Sequence, residues 1–283
     1  QVDHTIVLSQ IRVSFEGYVN EGKPLDTSAL LSKVVELFQS CKTSLELFNM
    51  LHNMHSSDDS VYVHSLNVSL ICRQIGKWIK ADDATLDMLT LAGLLHDIGN
   101  PPFGHFGEVV IGDWFKSHLD RLSYKGRPLS QWLDRQMKAD LCHFEGNAQA
   151  LRLLTKVYRV DSAFGMDLMP AVLNTLVKYP VDSTRVDKAS ADVKLHKLGY
   201  YKAEEALFGA LASATGTRTV EGFCRHPLTY ILEAADDIAY ATADLEDAYK
   251  KGLFTLDEFE RFFRDTLEAK KDDWGLNGGQ VKK

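Results

Sequence analysis

The sequence predicts a mainly α protein, a helical bundle with a small β-containing appendage at its N-terminus. Three observations carry the fold class. From Thr27 onward apolar residues return every three or four positions, the period of a helix face. Capping residues and prolines bracket these runs. Short β-rich runs are confined to the first 25 or so positions.

In chain order, Thr5 to Leu8 and Arg12 to Phe15 read as strands, with Gly17 and Gly22 as turn formers. Leu30, Leu31, Val34, Val35, Leu37 and Phe38 mark the first helix, and Leu45 to His55 a second. Ser56 to Ser60 reads as a loop rich in capping residues. Val61 to Lys80 and Ala84 to His96 are the strongest amphipathic runs. Pro101 and Pro102 stop the latter, because two prolines cannot continue a helix. A helix from His105 to His118 follows, then a polar loop or short helix over Arg121 to Arg135. Phe144 to Val160 and Leu168 to Lys178 are again helical. Pro180 to His196 is charged and aperiodic, a mobile surface segment by its composition. Helices are expected over Lys202 to Ala212, Pro227 to Lys250, where Pro227 takes the first helical position, and Leu256 to Lys270. The expected domains are an appendage at 1–26, a helical core at 27–254, and a C-terminal helix with a loose tail at 255–283.

Composition narrows the function classes. Of 283 residues 45% are apolar and 25% charged, with a mean hydropathy of −0.18, the balance of a folded globular chain. The most apolar window, Leu89 to Leu95, is far short of the ~20 residues a membrane helix needs. A net charge of −7 argues against nucleic acid as the main partner. The four cysteines, Cys41, Cys72, Cys142 and Cys224, are widely spaced with no CxxC pair. That suits buried, reduced thiols in a cytoplasmic protein, and the opening residues have no signal-peptide pattern.

The most informative stretch is His96-Asp97-Ile98-Gly99-Asn100-Pro101-Pro102-Phe103-Gly104-His105-Phe106-Gly107-Glu108. A His-Asp doublet at the end of an apolar helix can offer an imidazole nitrogen and a carboxylate oxygen to one cation. Such mixed donors suit Mn, Fe, Mg or Zn. One doublet alone is most often a surface hydrogen bond; the apolar run before it and the rigid loop after it argue otherwise here. His105 and Glu108, three apart, share a helix face, where a carboxylate can orient an imidazole for acid–base work. Glu108 could equally be a dipole-stabilised residue of the first turn. His64, alone on an apolar helix, becomes a ligand only if the doublet lies beside it. Asp236, Tyr240 and Asp244, four apart, stack on one helix face as a site wall or as a solvated surface. His143, Glu145 and Asn147 cluster at a helix start, and Lys178 with Tyr179 could grip phosphate.

These residues resemble the HD superfamily of metal-dependent phosphohydrolases, whose H…HD…D signature falls here on His64, His96-Asp97 and Asp236. The stretch from His96 to Glu108, with CHFEGNAQ, LVKYP and EAADDIAYATADLEDA, is similar to the dGTP triphosphohydrolase branch over about Ala92 to Phe254. The first third is similar instead to HD-GYP cyclic-dinucleotide phosphodiesterases, although Asn100 stands where they carry lysine and no GYP element follows. The resemblance implies cleavage of a deoxynucleoside triphosphate to deoxynucleoside and tripolyphosphate. It implies a divalent ion, Mn or Mg, with Fe, Co, Ni or Zn as other choices, held by His64, His96, Asp97 and Asp236. His105 and Glu108 become catalytic, and Asn100, His143, Glu145, Asn147, Lys178, Tyr179, Tyr240 and Asp244 contact substrate. A homo-oligomer is also possible. The alternatives are a cyclic-dinucleotide phosphodiesterase and a nucleotide-binding HD scaffold without turnover.

Overall fold

The computed structural model describes residues 4–23, 25–52, 60–157 and 166–273. Among these the chain is mainly helical: α1 (His4–Glu21), α2 (Thr27–Ser40), α3 (Ser44–His52), α4 (Ser60–Trp78), α5 (Asp83–Leu95), α6 (Gly104–His118), α7 (Arg135–Cys142), α8 (Gly146–Arg152), α9 (Pro170–Leu176), α10 (Glu205–Ala214), α11 (Pro227–Lys250) and α12 (Leu256–Lys270). Two small antiparallel hairpins interrupt them. β1 (Ser123–Tyr124) pairs with β2 (Arg127–Pro128), and β3 (Arg218–Thr219) with β4 (Gly222–Phe223). The chain forms two compact units, 1–236 and 237–283, with the boundary inside α11. No helix among the described residues is long and apolar enough to cross a membrane.

The first unit is built around α4 and α5. Leu66 and Leu70 on α4 and Leu89, Leu94 and Leu95 on α5 are fully buried, each contributing about 1.5–3 kcal/mol. The two helices meet at backbone distance, because a Cβ on Gly93 would lie 2.6 Å from the Ser69 Cα. Arg73 fixes their register by donating to Asp87 at 2.8 Å and Thr90 at 3.1 Å. Asp82 caps α5 by accepting from the Thr85 N–H at 2.8 Å. α1 and α2 pack on this pair, and α9 packs on α5.

The expected N-terminal strands are a helix, so the β-containing appendage is corrected. α1 buries Val7, Leu8, Ile11 and Phe15, a 3.6-residue rather than a 2-residue pattern. Docking on α2 and α4, with the Phe15 ring 6.1 Å from Tyr62, outweighs the local β-branched preference. Arg121 to Arg135 holds the first hairpin, whose turn residues Lys125 and Gly126 both have positive φ as a two-residue hairpin turn requires. Phe144 to Val160 divides into α8 and a π turn at Leu153–Val157, its last residues lying outside the described ones. The loop expected at Ser56 lies outside them as well. The segment from Pro180 to His196 is irregular, as expected, but not merely superficial. Val181 and Ser183 are buried, and Ser183 donates to Asp140 at 2.5 Å. Cys72 is buried, Cys41 and Cys142 are half-buried and Cys224 is exposed; all four are free thiols.

In the second unit Thr255 and Glu258 form a capping box at the start of α12. The Phe254 and Phe259 rings stack at 5.6 Å between centroids, and Phe263 tilts against Phe259 at 4.7 Å.

The α4–α5 contact has a direct test. Gly93→Ala should lower unfolding stability by about 1–3 kcal/mol, the usual cost of overpacking a core. The midpoint shift in urea denaturation measures it, and an unchanged midpoint would show that the helices can separate freely.

Candidate metal centre and adjoining cleft

His64 lies in the first turns of α4, and His96 immediately follows α5. The close contact at Gly93 brings their rings to 5.3 Å between centroids. α11 brings Asp236 to both. Its Oδ1 is 3.0 Å from His64 Nε2 and 3.4 Å from His96 Nε2. Asp97 stands at the edge, with Oδ1 3.4 Å from His96 Nε2 and Oδ2 3.9 Å from His64 Nε2. One donor atom each from His64, His96 and Asp236 lies within 4.8 Å of the other two, the spacing of ligands around a single ion.

His96 supplies the decisive detail. It is only 2% exposed, and its Nδ1 meets the Gly93 carbonyl at 2.7 Å. Among the described residues its buried Nε2 has no hydrogen-bond partner. An Nδ1–H held by a carbonyl leaves Nε2 with its lone pair outward, the tautomer a metal ligand needs. Such a buried orphan costs about 1–3 kcal/mol unless a donor or a cation meets its lone pair. The donor set therefore fits a divalent cation.

Lys178, just past α9, donates to Asp236 Oδ2 at 2.9 Å, leaving Oδ1 toward the imidazoles. Burial opposes ionisation of Asp236, but His64, His96 and Lys178 outweigh it and hold the carboxyl far below its usual range. Burial likewise works against the Lys178 ammonium, yet Asp236, Asp97 and Glu233 keep its pKa above normal.

A cleft of about 320 Å³ holds the second group of residues, including His105, Glu108, His143 and Glu145. His105 Nδ1 donates to Glu108 Oε2 at 2.9 Å, while the His105 side chain is 79% exposed. Glu108 is buried, and its other oxygen accepts from the Gly146 N–H at 2.8 Å. A Cβ on Gly146 would sit 3.0 Å from that oxygen and 2.4 Å from Asn100 Oδ1, so a larger residue here would push both side-chain oxygens aside. Asn147 donates to Glu145 Oε1 at 2.8 Å. His143 is exposed, and its Nδ1 bonds the Ala139 carbonyl at 2.8 Å. Tyr179 connects the two groups electrostatically. Burial raises the pKa of its phenol, and Lys197, Lys178, Glu233 and Glu145 all act on it. Tyr240 and Asp244 follow Asp236 on α11 within the second unit, and both are exposed.

Sequence reasoning missed Lys197. It lies 3.0 Å from Glu145 Oε1 and 3.6 Å from Glu108 Oε2, one cation for two buried carboxylates. Burial raises the Glu145 pKa and Lys197 only partly offsets it. The available signal was the Gly199-Tyr200-Tyr201 run, which ends the charged segment and buries both tyrosines.

The HD-domain family profile matches residues 61–159. The chain thus carries an HD domain over that stretch. HD domains bind divalent metals, and the cluster of His64, His96 and Asp236 agrees with that. Among curated relatives, a deoxyguanosinetriphosphate triphosphohydrolase-like protein of Listeria innocua is 43% identical over 74% of this chain and 47% of its own length. A probable deoxyguanosinetriphosphate triphosphohydrolase of Pseudomonas aeruginosa is 40% identical over 67% of this chain and 39% of its own. The deoxyguanosinetriphosphate triphosphohydrolase of an Enterobacter species is 38% identical over 71% and 45%. The HD chain thus spans less than half the length of these relatives. The expected likeness of its first third to HD-GYP phosphodiesterases finds no support among them.

Asp236→Ala should abolish stoichiometric Mn(II) binding, read by elemental analysis after dialysis. Retained metal would remove Asp236 from the ligand shell.

Proposed function

We propose that this HD chain hydrolyses a deoxynucleoside triphosphate of the dGTP class to deoxynucleoside and tripolyphosphate. The orphaned Nε2 of His96, buried beside His64 and Asp236, is the observation that carries the reading, because it calls for a cation where phosphate chemistry uses one. His64, His96, Asp97 and Asp236 would hold that ion, Mn or Mg in the first instance. When bound, it supplies Lewis-acid polarisation of the phosphate.

The remaining work falls to side chains of the cleft. Water adds to the α-phosphorus as the bond from phosphorus to the 5′-oxygen breaks, and the leaving oxygen needs a proton. The exposed His105 Nε2 is suited to give that proton, or to take one from the water, since Glu108 fixes its Nδ1–H. Lys197 neutralises part of the paired charge of Glu108 and Glu145. Lys178 and Tyr179 face the phosphates. Tyr240 is assigned to the triphosphate with them, Asn100, His143, Glu145 and Asn147 line their surroundings, and Asp244 is assigned to the sugar or base.

The test is tripolyphosphate release from dGTP with Mn(II) or Mg(II). His105→Ala should retain the metal and lose about 10²–10⁴-fold in kcat; loss of metal with activity would make His105 a ligand instead. Lys197→Met should lower kcat while the His105→Ala,Lys197→Met double variant is no slower than His105→Ala, because both act through one network. Release of a linear dinucleotide from a cyclic one, or no turnover at all, would overturn the reading.

A further inference from the structure

A second cavity, of about 400 Å³, lies across Phe144 from the His105 cleft, and Phe144 lines both. Its volume falls among ordinary small-molecule pockets, about 300–1,000 Å³. Ile111 and Phe115 of α6, Leu133, and Met137 and Leu141 of α7 form its apolar walls. Walls of this kind give the polar edge of a nucleobase few partners but suit a hydrocarbon ring.

The polar groups at the rim are largely committed. Asp140 accepts from Ser183 Oγ at 2.5 Å and from the Lys202 N–H at 2.7 Å, and Lys202 Nζ pairs with Glu205 at 2.5 Å. Arg152 differs. Its Nε donates to Glu204 Oε1 at 3.2 Å, and Lys156 Nζ lies 3.3 Å from the same oxygen. Two cations therefore share one carboxylate. The two terminal NH₂ groups of Arg152 donate to none of the described residues, and its guanidinium stands 5.3 Å from the centre of the Tyr201 ring. A planar, half-exposed fork of donors beside an apolar cavity matches a carboxylate in two-point geometry.

We propose that this cavity is a second ligand site, taking a flat aromatic acid whose ring lies among Phe115, Met137 and Phe144 and whose carboxylate pairs with Arg152. Tyr201 also lines the cavity, and its hydroxyl donates to the Glu145 carbonyl at 3.1 Å and accepts from the Glu145 N–H at 3.2 Å. An occupant therefore touches the residue that anchors Glu145 in the neighbouring cleft. The proposal stands apart from the hydrolase reading, since its test is binding.

The probe is 2-naphthoate, titrated calorimetrically into the full chain. It should bind saturably at one site, about tenfold or more tighter than the neutral 2-naphthalenemethanol. Arg152→Gln should bring the acid down to the level of the alcohol. Met137→Trp, which fills the cavity, should abolish binding of both, with melting curves showing that each variant is folded. Should Arg152→Gln not fold, Arg152→Lys keeps the charge without the fork and should still weaken the acid selectively. Excess dGTP should not displace naphthoate. Absence of saturable binding, equal affinity for acid and alcohol, survival through Met137→Trp, or displacement by dGTP would each overturn the assignment.

Discussion

The approach of α4 to α5 at backbone distance is the constraint on which the metal centre depends. With no side chain at Gly93, the helices set the spacing of His64 and His96 through main chain rather than through compressible packing. The Gly93 carbonyl then fixes the orientation of His96. One residue thus determines both the gap between two imidazoles and which nitrogen of one of them faces the gap. α11 needs only to deliver a carboxylate.

Charge balance is handled differently in the two halves of the site. At the metal centre Asp236 divides its oxygens, one toward the imidazoles and one to Lys178, so a buried carboxylate is held without closing the side a cation would occupy. In the cleft, Glu108 and Glu145 share Lys197, while Glu108 alone accepts the Gly146 N–H and Glu145 accepts from Asn147. That arrangement leaves a surplus of buried negative charge beside an exposed imidazole, an arrangement more readily explained by acid–base work than by stability.

Much of this was legible in the sequence. The amphipathic runs of α2, α4, α5, α6, α11 and α12 announce themselves by period, by caps such as Asp82 and Thr255, and by Pro227 at a helix start. The doublet at His96 and the pair His105–Glu108 were readable because chemistry compressed into a few consecutive residues leaves a local trace. What was not legible depends on distance. α1 carries β-branched residues that read as strands until α2 and α4 are there to cover Val7, Leu8 and Ile11. α7 is too short and polar to show a period. Lys197 looks like any surface lysine until two carboxylates from α6 and the start of α8 are folded against it.

The metal centre also implies an order of assembly. His64 and His96 belong to adjacent helices, whereas Asp236 is 172 residues from His64. Contacts between neighbours close small loops and form early; a loop of that length closes late, at greater entropic cost. During synthesis the paired imidazoles can therefore be in place before α11 has left the ribosome, with the orphaned nitrogen already turned inward. The carboxylate comes last and acts as a latch. A chain arrested before Asp236 would own a two-nitrogen half-site, able to pick up a soft transition ion but poorly suited to Mg, so the order of folding itself would filter which metal arrives first.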